Sequence, residues 1–135
     1  MLGHLDIVVT MSIRNEWLIT GSKDNTIKLW NIRKGELIHK VTYKGHSKNV
    51  TSTSFAPKKG KFFVSASKDL TIKIWSVIEK GRSEITEAIR TTIAHTKEIN
   101  AVKVSPNDKI IASGSQDRIV KVNLILNNSY GMLKH

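Results

Sequence analysis

Short apolar runs rich in Val, Ile, Thr and Phe recur along this chain and alternate with clusters of Pro, Gly, Asn and Asp. No apolar stripe of helical period persists for the length of a helix, so the pattern predicts strands joined by tight turns. Strands are predicted over residues 6–12, 16–21, 26–32 and 37–43, then over 49–55, 61–66, 71–77 and 88–93. A third group follows at 99–104, 110–114 and 119–125, with a weaker outer strand near 130–133. The turn chemistry of Ala56-Pro57-Lys58-Lys59-Gly60 and of Ser105-Pro106-Asn107-Asp108 falls between the first and second strands of its group.

The grouping has a cause: one segment is written three times. It reads GSKDNTIKLW from Gly21 to Trp30, ASKDLTIKIW from Ala66 to Trp75, and GSQDRIVKVN from Gly114 to Asn123. A histidine precedes each copy, and the spacings are 42 and 49 residues between His4, His46 and His95, against 45 and 48 between Asp24, Asp69 and Asp117. The last position of each copy lies six residues after its aspartate, which confines the length variation to loops. A strand-built period in the forties predicts four-stranded propeller blades.

These residues resemble the WD-repeat family. The family's Gly-His opening matches Gly3-His4 and Gly45-His46, with Ala94-His95 as a variant, and its Trp close matches Trp30 and Trp75. Asn123 stands where the family has the third Trp. The resemblance covers residues 3 to about 123 and implies an all-β fold, a partial propeller of three blades that are four-stranded antiparallel sheets. Its units would span 3–44, 45–93 and 94–135, the third truncated and its blade incomplete. It also implies a structural tetrad in each unit: His4, Thr20, Asp24 and Trp30; His46, Ser65, Asp69 and Trp75; His95, Ser113 and Asp117, with Asn123 defective in fourth place. Chained hydrogen bonds among an imidazole, a carboxylate, a hydroxyl and an indole leave no buried polar group unpaired. The third blade is therefore expected to be the least well packed.

Ser, His and Asp also compose hydrolase triads, but a triad needs one pocketed nucleophile, and repetition in every unit argues for structure. The chain has no GxSxG, HExxH or Gly-rich phosphate loop, no cysteine, and His-to-Asp offsets of 20, 23 and 22 that are not short ligand spacings. The expectation is a binding scaffold with no catalytic residue, no metal, no cofactor and no small-molecule substrate.

Charge adds a second layer. Lys and Arg number 22 against 11 Asp and Glu, a net charge of +11. Residues 1–44 carry seven basic and four acidic side chains, 45–93 nine and four, and 94–135 six and three, so every unit contributes. In a propeller, one face would collect Arg33, Lys34, Lys58, Lys59, Lys61, Lys80, Arg82 and Lys109, the candidate RNA contacts. The opposite face would present Lys23, Lys48, Lys68, Lys97 and Arg118. Such surfaces favour polyanions in a salt-dependent way, and the plainer alternative is that lysines keep the array soluble. The absence of cysteine, of a signal-like apolar region after Met1 and of any run near ~18 apolar residues predicts a reducing compartment and no membrane. Propellers close with about 4 to 8 blades. Three units therefore predict either a fragment of a larger propeller or a ring completed by another chain.

The third unit, AHTKEINAVKVSPNDKIIASGSQDRIVKV, resembles the matching unit of transducin-beta-like WD-repeat subunits of the small-subunit processome. The order of units agrees, as does an insertion at 78–87 that carries Glu79-Lys80-Gly81-Arg82. The resemblance implies a nucleolar scaffold in ribosomal RNA processing and ribosome biogenesis. Its implied partners are other WD-repeat and processome proteins, with precursor ribosomal RNA and small nucleolar RNA. The other reading is a cytoplasmic protein-binding adaptor, such as a ubiquitin-ligase substrate receptor or a G-protein-beta-like scaffold. Its protein-binding face would hold Lys23, Lys68 and Gln116, the residues before each tetrad aspartate, and two lysines suit an acidic or phosphorylated partner.

Overall fold

A computed structural model describes residues 3–78, 80–126 and 132–134, and every regular element within them is a strand. An antiparallel meander comes first: β1 (Val8–Arg14), β2 (Trp17–Ser22), β3 (Thr26–Arg33) and β4 (Glu36–Lys44). Next along the chain are β5 (Val50–Phe55), β6 (Phe62–Ser67), β7 (Thr71–Ser76), β8 (Glu84–Ile85) and β9 (Arg90–Ile93), and the second sheet has the order β5-β6-β7-β9. The third sheet runs β10 (Ile99–Val104), β11 (Ile110–Ser115), β12 (Val120–Leu126) and β13 (Met132–Lys134) in chain order. No helix among the described residues is long and apolar enough to cross a membrane.

The sheets repeat one another down to their irregularities. The first strand of each shifts register at the same place, between Val8 and Thr10, Val50 and Ser52, and Ile99 and Ala101, so one extra residue bends all three. The turn from second to third strand repeats as well. Asn25, Leu70 and Arg118 adopt left-handed backbone there, with φ of 72°, 77° and 70°. Their amides donate to the carbonyls of Ser22, Ser67 and Ser115.

One feature departs from the four-stranded expectation. β8, inside the charged insertion, pairs in parallel with β4, setting Thr42 opposite Glu84 and Tyr43 opposite Ile85, and gives the first sheet a fifth strand. The Thr42 amide donates to the Ser83 carbonyl at 2.8 Å and Lys44 pairs with Glu84 at 3.0 Å, so the insertion straps the second unit to the edge of the first. Two residues are too few to show a strand period, which is why the pattern missed it. In the third sheet β13 pairs with β12, from Leu124 opposite Lys134 to Leu126 opposite Met132, and it falls on the weaker outer strand predicted near 130–133. Residues 130 and 131 of the predicted outer strand lie outside the described residues.

The core lies between sheets. Ile19, Ile27, Leu29 and Val41 of the first meet Val50, Phe55, Phe63 and Trp75 of the second. Phe62, Val64, Ile72 and Ile74 of the second meet Ile99, Val102, Ile111 and Ile125 of the third. The middle sheet is thus covered on both faces, and β6 is buried at all six positions, which explains why FFVSAS shows no alternation. Tyr43 ties β4 to the second sheet: its ring meets Phe63 and Trp75 edge-on at 4.9 and 5.4 Å. Its hydroxyl donates to the Ser76 carbonyl at 2.8 Å and accepts from the Ile78 amide at 3.2 Å. Burial pushes the phenol up to about 12, against the smaller opposing pull of the Ile78 amide.

Hydroxyls on one first strand also hold the next. Thr10 and Ser12 accept from the amides of Thr53 and Phe55 at 3.3 and 3.1 Å, and Ser52 and Ser54 accept from those of Val102 and Val104 at 3.1 Å each.

Candidate functional site

The repeated segment builds a buried relay of hydrogen bonds in each unit. The indole of Trp30 can only donate, so Thr20 Oγ1 accepts at 2.9 Å and turns its own proton to His4 Nε2 at 2.6 Å. His4 Nδ1 then donates to Asp24 Oδ2 at 2.9 Å. The second unit repeats the polarity: Trp75 to Ser65 at 2.9 Å, Ser65 to His46 Nε2 at 2.7 Å, and His46 Nδ1 to Asp69 Oδ2 at 2.8 Å. Each carboxylate also caps its own turn. Asp24 Oδ1 accepts from the amide and hydroxyl of Thr26 at 2.9 and 2.6 Å, and Asp69 Oδ1 from those of Thr71 at 3.0 and 2.6 Å. Burial pushes both carboxyls up, but these bonds outweigh it and hold Asp24 and Asp69 below the ordinary carboxylate range.

The third unit keeps two of the three links of the relay. Ser113 bonds His95 Nε2 at 2.9 Å and His95 Nδ1 donates to Asp117 at 2.8 Å. Asn123 is 2% exposed, and its Oδ1 is a buried atom with no partner among the described residues. Ile119 stands where the other units have Thr26 and Thr71, so Asp117 receives an amide there and no hydroxyl. Burial raises the Asp117 carboxyl, and the Ile119 amide, His95 and the Thr96 amide together still hold it low.

Some of the candidate surface residues gather at two clefts and the others do not. Lys58, Lys59 and Lys61 lie around the β5–β6 turn, and all three are exposed, as are Arg33, Lys34, Lys80, Arg82 and Lys109. That turn is gripped from both sides. Arg14 Nε and Nη2 donate to the carbonyls of Pro57 and Lys58 at 3.0 Å each, while Asp108 accepts from the amides of Lys58 and Lys59 at 2.9 and 2.8 Å. Beside it a cleft of about 750 Å³ joins Lys59 and Lys61 to Arg14, Glu16, Trp17 and Phe55. Lys58, Arg33, Lys34, Lys80, Arg82 and Lys109 are not part of its lining.

A second cleft, of about 500 Å³, brings Lys68 and Gln116 together with Lys48, Lys97, Asp69 and Glu98 across the second and third units. Lys23 does not line it. Gln116 there donates to Glu98 at 3.0 Å. Among the described residues, Lys44 with Glu84 is the one ion pair between a Lys or Arg and a carboxylate.

A family pattern described as WD domain, G-beta repeat, matches residues 1–31, 36–76 and 86–122. The chain belongs to the WD-repeat family. Transducin beta-like protein 3 of Rattus norvegicus is 36% identical over 132 residues, which cover 89% of this chain and 16% of that protein. U3 small nucleolar RNA-associated protein 13 of Saccharomyces cerevisiae is also 36% identical over 132 residues, with the same coverage of 89% and 16%. A ribosome biogenesis protein WDR12 homolog of Anopheles gambiae is 34% identical over 121 residues, covering 90% of this chain and 28% of that protein. The chain thus spans well under a third of the length of these relatives.

Within this WD-repeat chain, Thr26 and Thr71 went unrecognised from the sequence, although they recur two residues after the aspartate in KDNT and KDLT and give way to Ile in QDRI. Arg14 and Asp108 carried no repeat signal, since each acts on a turn more than 40 residues away. Trp17 was legible only as the tryptophan outside the repeated segment.

Proposed function

We propose that this WD-repeat chain is a non-catalytic scaffold unit of the small-subunit processome, acting in ribosomal RNA processing and ribosome biogenesis in the nucleolus. In this reading the repeat units are 3–44, 45–93 and 94–135, and the His, Ser/Thr, Asp and Trp networks, which lack the Trp in the third unit, act as internal clamps. The observation that carries the reading is the near absence of ion pairing on so basic a surface. With Lys44 alone paired among the described Lys and Arg residues, Arg33, Lys34, Lys58, Lys59, Lys61, Lys80, Arg82 and Lys109 are free of carboxylate neutralisation and available to phosphates. The relatives named for U3 small nucleolar RNA association and for ribosome biogenesis support the same direction. Affinity purification followed by RNA sequencing tests it. Small nucleolar RNA and precursor ribosomal RNA are the expected catch, with other WD-repeat proteins. Recovery of cullin or signalling proteins without RNA would contradict it.

One observation favours a second role, as a cytoplasmic adaptor. The cleft that gathers Lys48, Lys68 and Lys97 beside Gln116 suits an acidic or phosphorylated segment of a partner protein, with Lys23 on the neighbouring unit. Under that reading Lys68→Glu abolishes phosphopeptide binding and leaves RNA binding intact.

A further inference from the structure

Trp17 differs from the other two tryptophans. Trp30 and Trp75 close repeated segments, are 5% and 0% exposed, and each spends its N–H on a relay hydroxyl. Trp17 opens β2 outside any repeated segment and is half-buried. It packs against the core that holds Phe55 and Phe63, and it borders the cleft of about 750 Å³ beside the β5–β6 turn. That volume falls in the range of small-ligand sites, about 300 to 1,000 Å³. The walls come from the first two units: the β1–β2 turn, the start of β2, the β5–β6 turn and the end of β7.

Charge in this cleft is placed in advance. Arg14 is tied by its bonds to the carbonyls of Pro57 and Lys58, and its guanidinium lies over Gly60, where an added Cβ would stand 2.6 Å from Cζ. Gly60, with φ of 66°, suits both the left-handed turn and the close approach of the guanidinium. Lys59 and Lys61 border the same cleft, exposed, and neither pairs with a carboxylate among the described residues. Glu16 is the one acidic residue among the described lining, on the Trp17 side.

An indole beside free cations matches the two halves of a nucleotide. Bases stack on aromatic rings with little regard to sequence, and phosphates meet the neighbouring lysines. Duplex RNA cannot use such a site, because its bases stay stacked inside the helix and it offers phosphates and 2′-hydroxyls instead. We propose that this cleft holds an unpaired nucleotide of RNA, its base stacked on Trp17 and its flanking phosphates at Lys59 and Lys61. The inference rests on the RNA reading above and narrows it, from any polyanion to a single-stranded segment. Glu16 sets the orientation: a carboxylate repels phosphate and accepts from the amino edge of a base, so the base goes to the Trp17 side and the phosphates to the lysines.

Tryptophan fluorescence of the full chain tests this, because Trp17 is the tryptophan that a ligand can reach. The probes are a strand of about twelve alternating adenosine and cytidine nucleotides and the same strand in duplex with its complement. The strand is expected to quench the emission and the duplex to leave it unchanged. Trp17→Leu keeps an apolar side chain against the core and is expected to weaken strand binding about tenfold. Duplex binding and the salt slope stay as they were, since stacking releases no counterion. Trp17→Phe retains a stacking ring, so it keeps most of the strand affinity and loses the quench, and it carries the test if circular dichroism shows the Leu variant unfolded.

Failure of the RNA reading has its own signature, no binding of either probe, and it removes both claims. Binding of both probes, with a salt slope that Lys59 and Lys61 set but with no quench, overturns the stacked nucleotide alone. Equal weakening of strand and duplex in Trp17→Leu does the same. So does an acidic peptide that quenches Trp17 and displaces the strand.

Discussion

Asp69 is the residue on which the second unit turns. It accepts from His46, from the Ser47 amide and from both groups of Thr71, so its loss strands several donors at once. Asp69→Ala is expected to destabilise the fold by roughly 1 to 3 kcal/mol in denaturant unfolding. The carboxyl is held below its ordinary value of 3.8, so the folded state binds its proton less readily than the unfolded state. Its stabilisation is therefore complete above that value and is lost as pH falls through and below it. Asp69→Asn should consequently lose less stability than the wild type when thermal unfolding is compared at about pH 6 and about pH 3. Asn123 gives the converse case. Its Oδ1 is a buried acceptor without a partner among the described residues, and the missing indole leaves Ser113 without the N–H donor that Thr20 and Ser65 receive. Asn123→Trp is expected to raise the melting temperature, and a fall would contradict the alignment of the third segment with the other two.

Turns and strands were legible to different degrees, for physical reasons. Long strands such as β3, β5 and β10 announce themselves through period and β-branched content, and β10 runs from Ile99 to Val104 as predicted. The hydroxyl ladder, the grip of Arg14 and Asp108 on the β5–β6 turn, and the β4–β8 strap all join residues about 40 to 50 apart. No local pattern records such pairings, and only the folded chain brings them together. Two predictions belong here. Arg118 holds left-handed backbone at an exposed turn where the first unit has Asn25. Arg118→Asn should therefore stabilise the fold by about 1 kcal/mol, seen as a higher melting temperature. Asp108→Ala removes acceptors from two amides of the Lys58–Lys59 turn, and hydrogen exchange there should speed up while the exchange of β6 is unchanged.

At the scale of the whole molecule, three copies of one sheet stack through apolar joints and leave a basic surface with little internal neutralisation. The repeat made the architecture readable before any coordinate was known. The surface was readable only as a charge total, because which cations share a cleft depends on how the units pack. Lys59 and Lys61 come together with Trp17 and Phe55 in that way, and Lys68 with Lys97. The central claim is that the cations around the β5–β6 turn meet phosphates. The most direct test is the salt dependence of binding to precursor ribosomal RNA, measured for the wild type and for the Lys58→Glu, Lys59→Glu, Lys61→Glu triple variant. The account predicts weaker binding and a shallower salt slope in the triple variant, by about one unit for each phosphate that its lysine no longer neutralises. Unchanged affinity with an unchanged slope would contradict it.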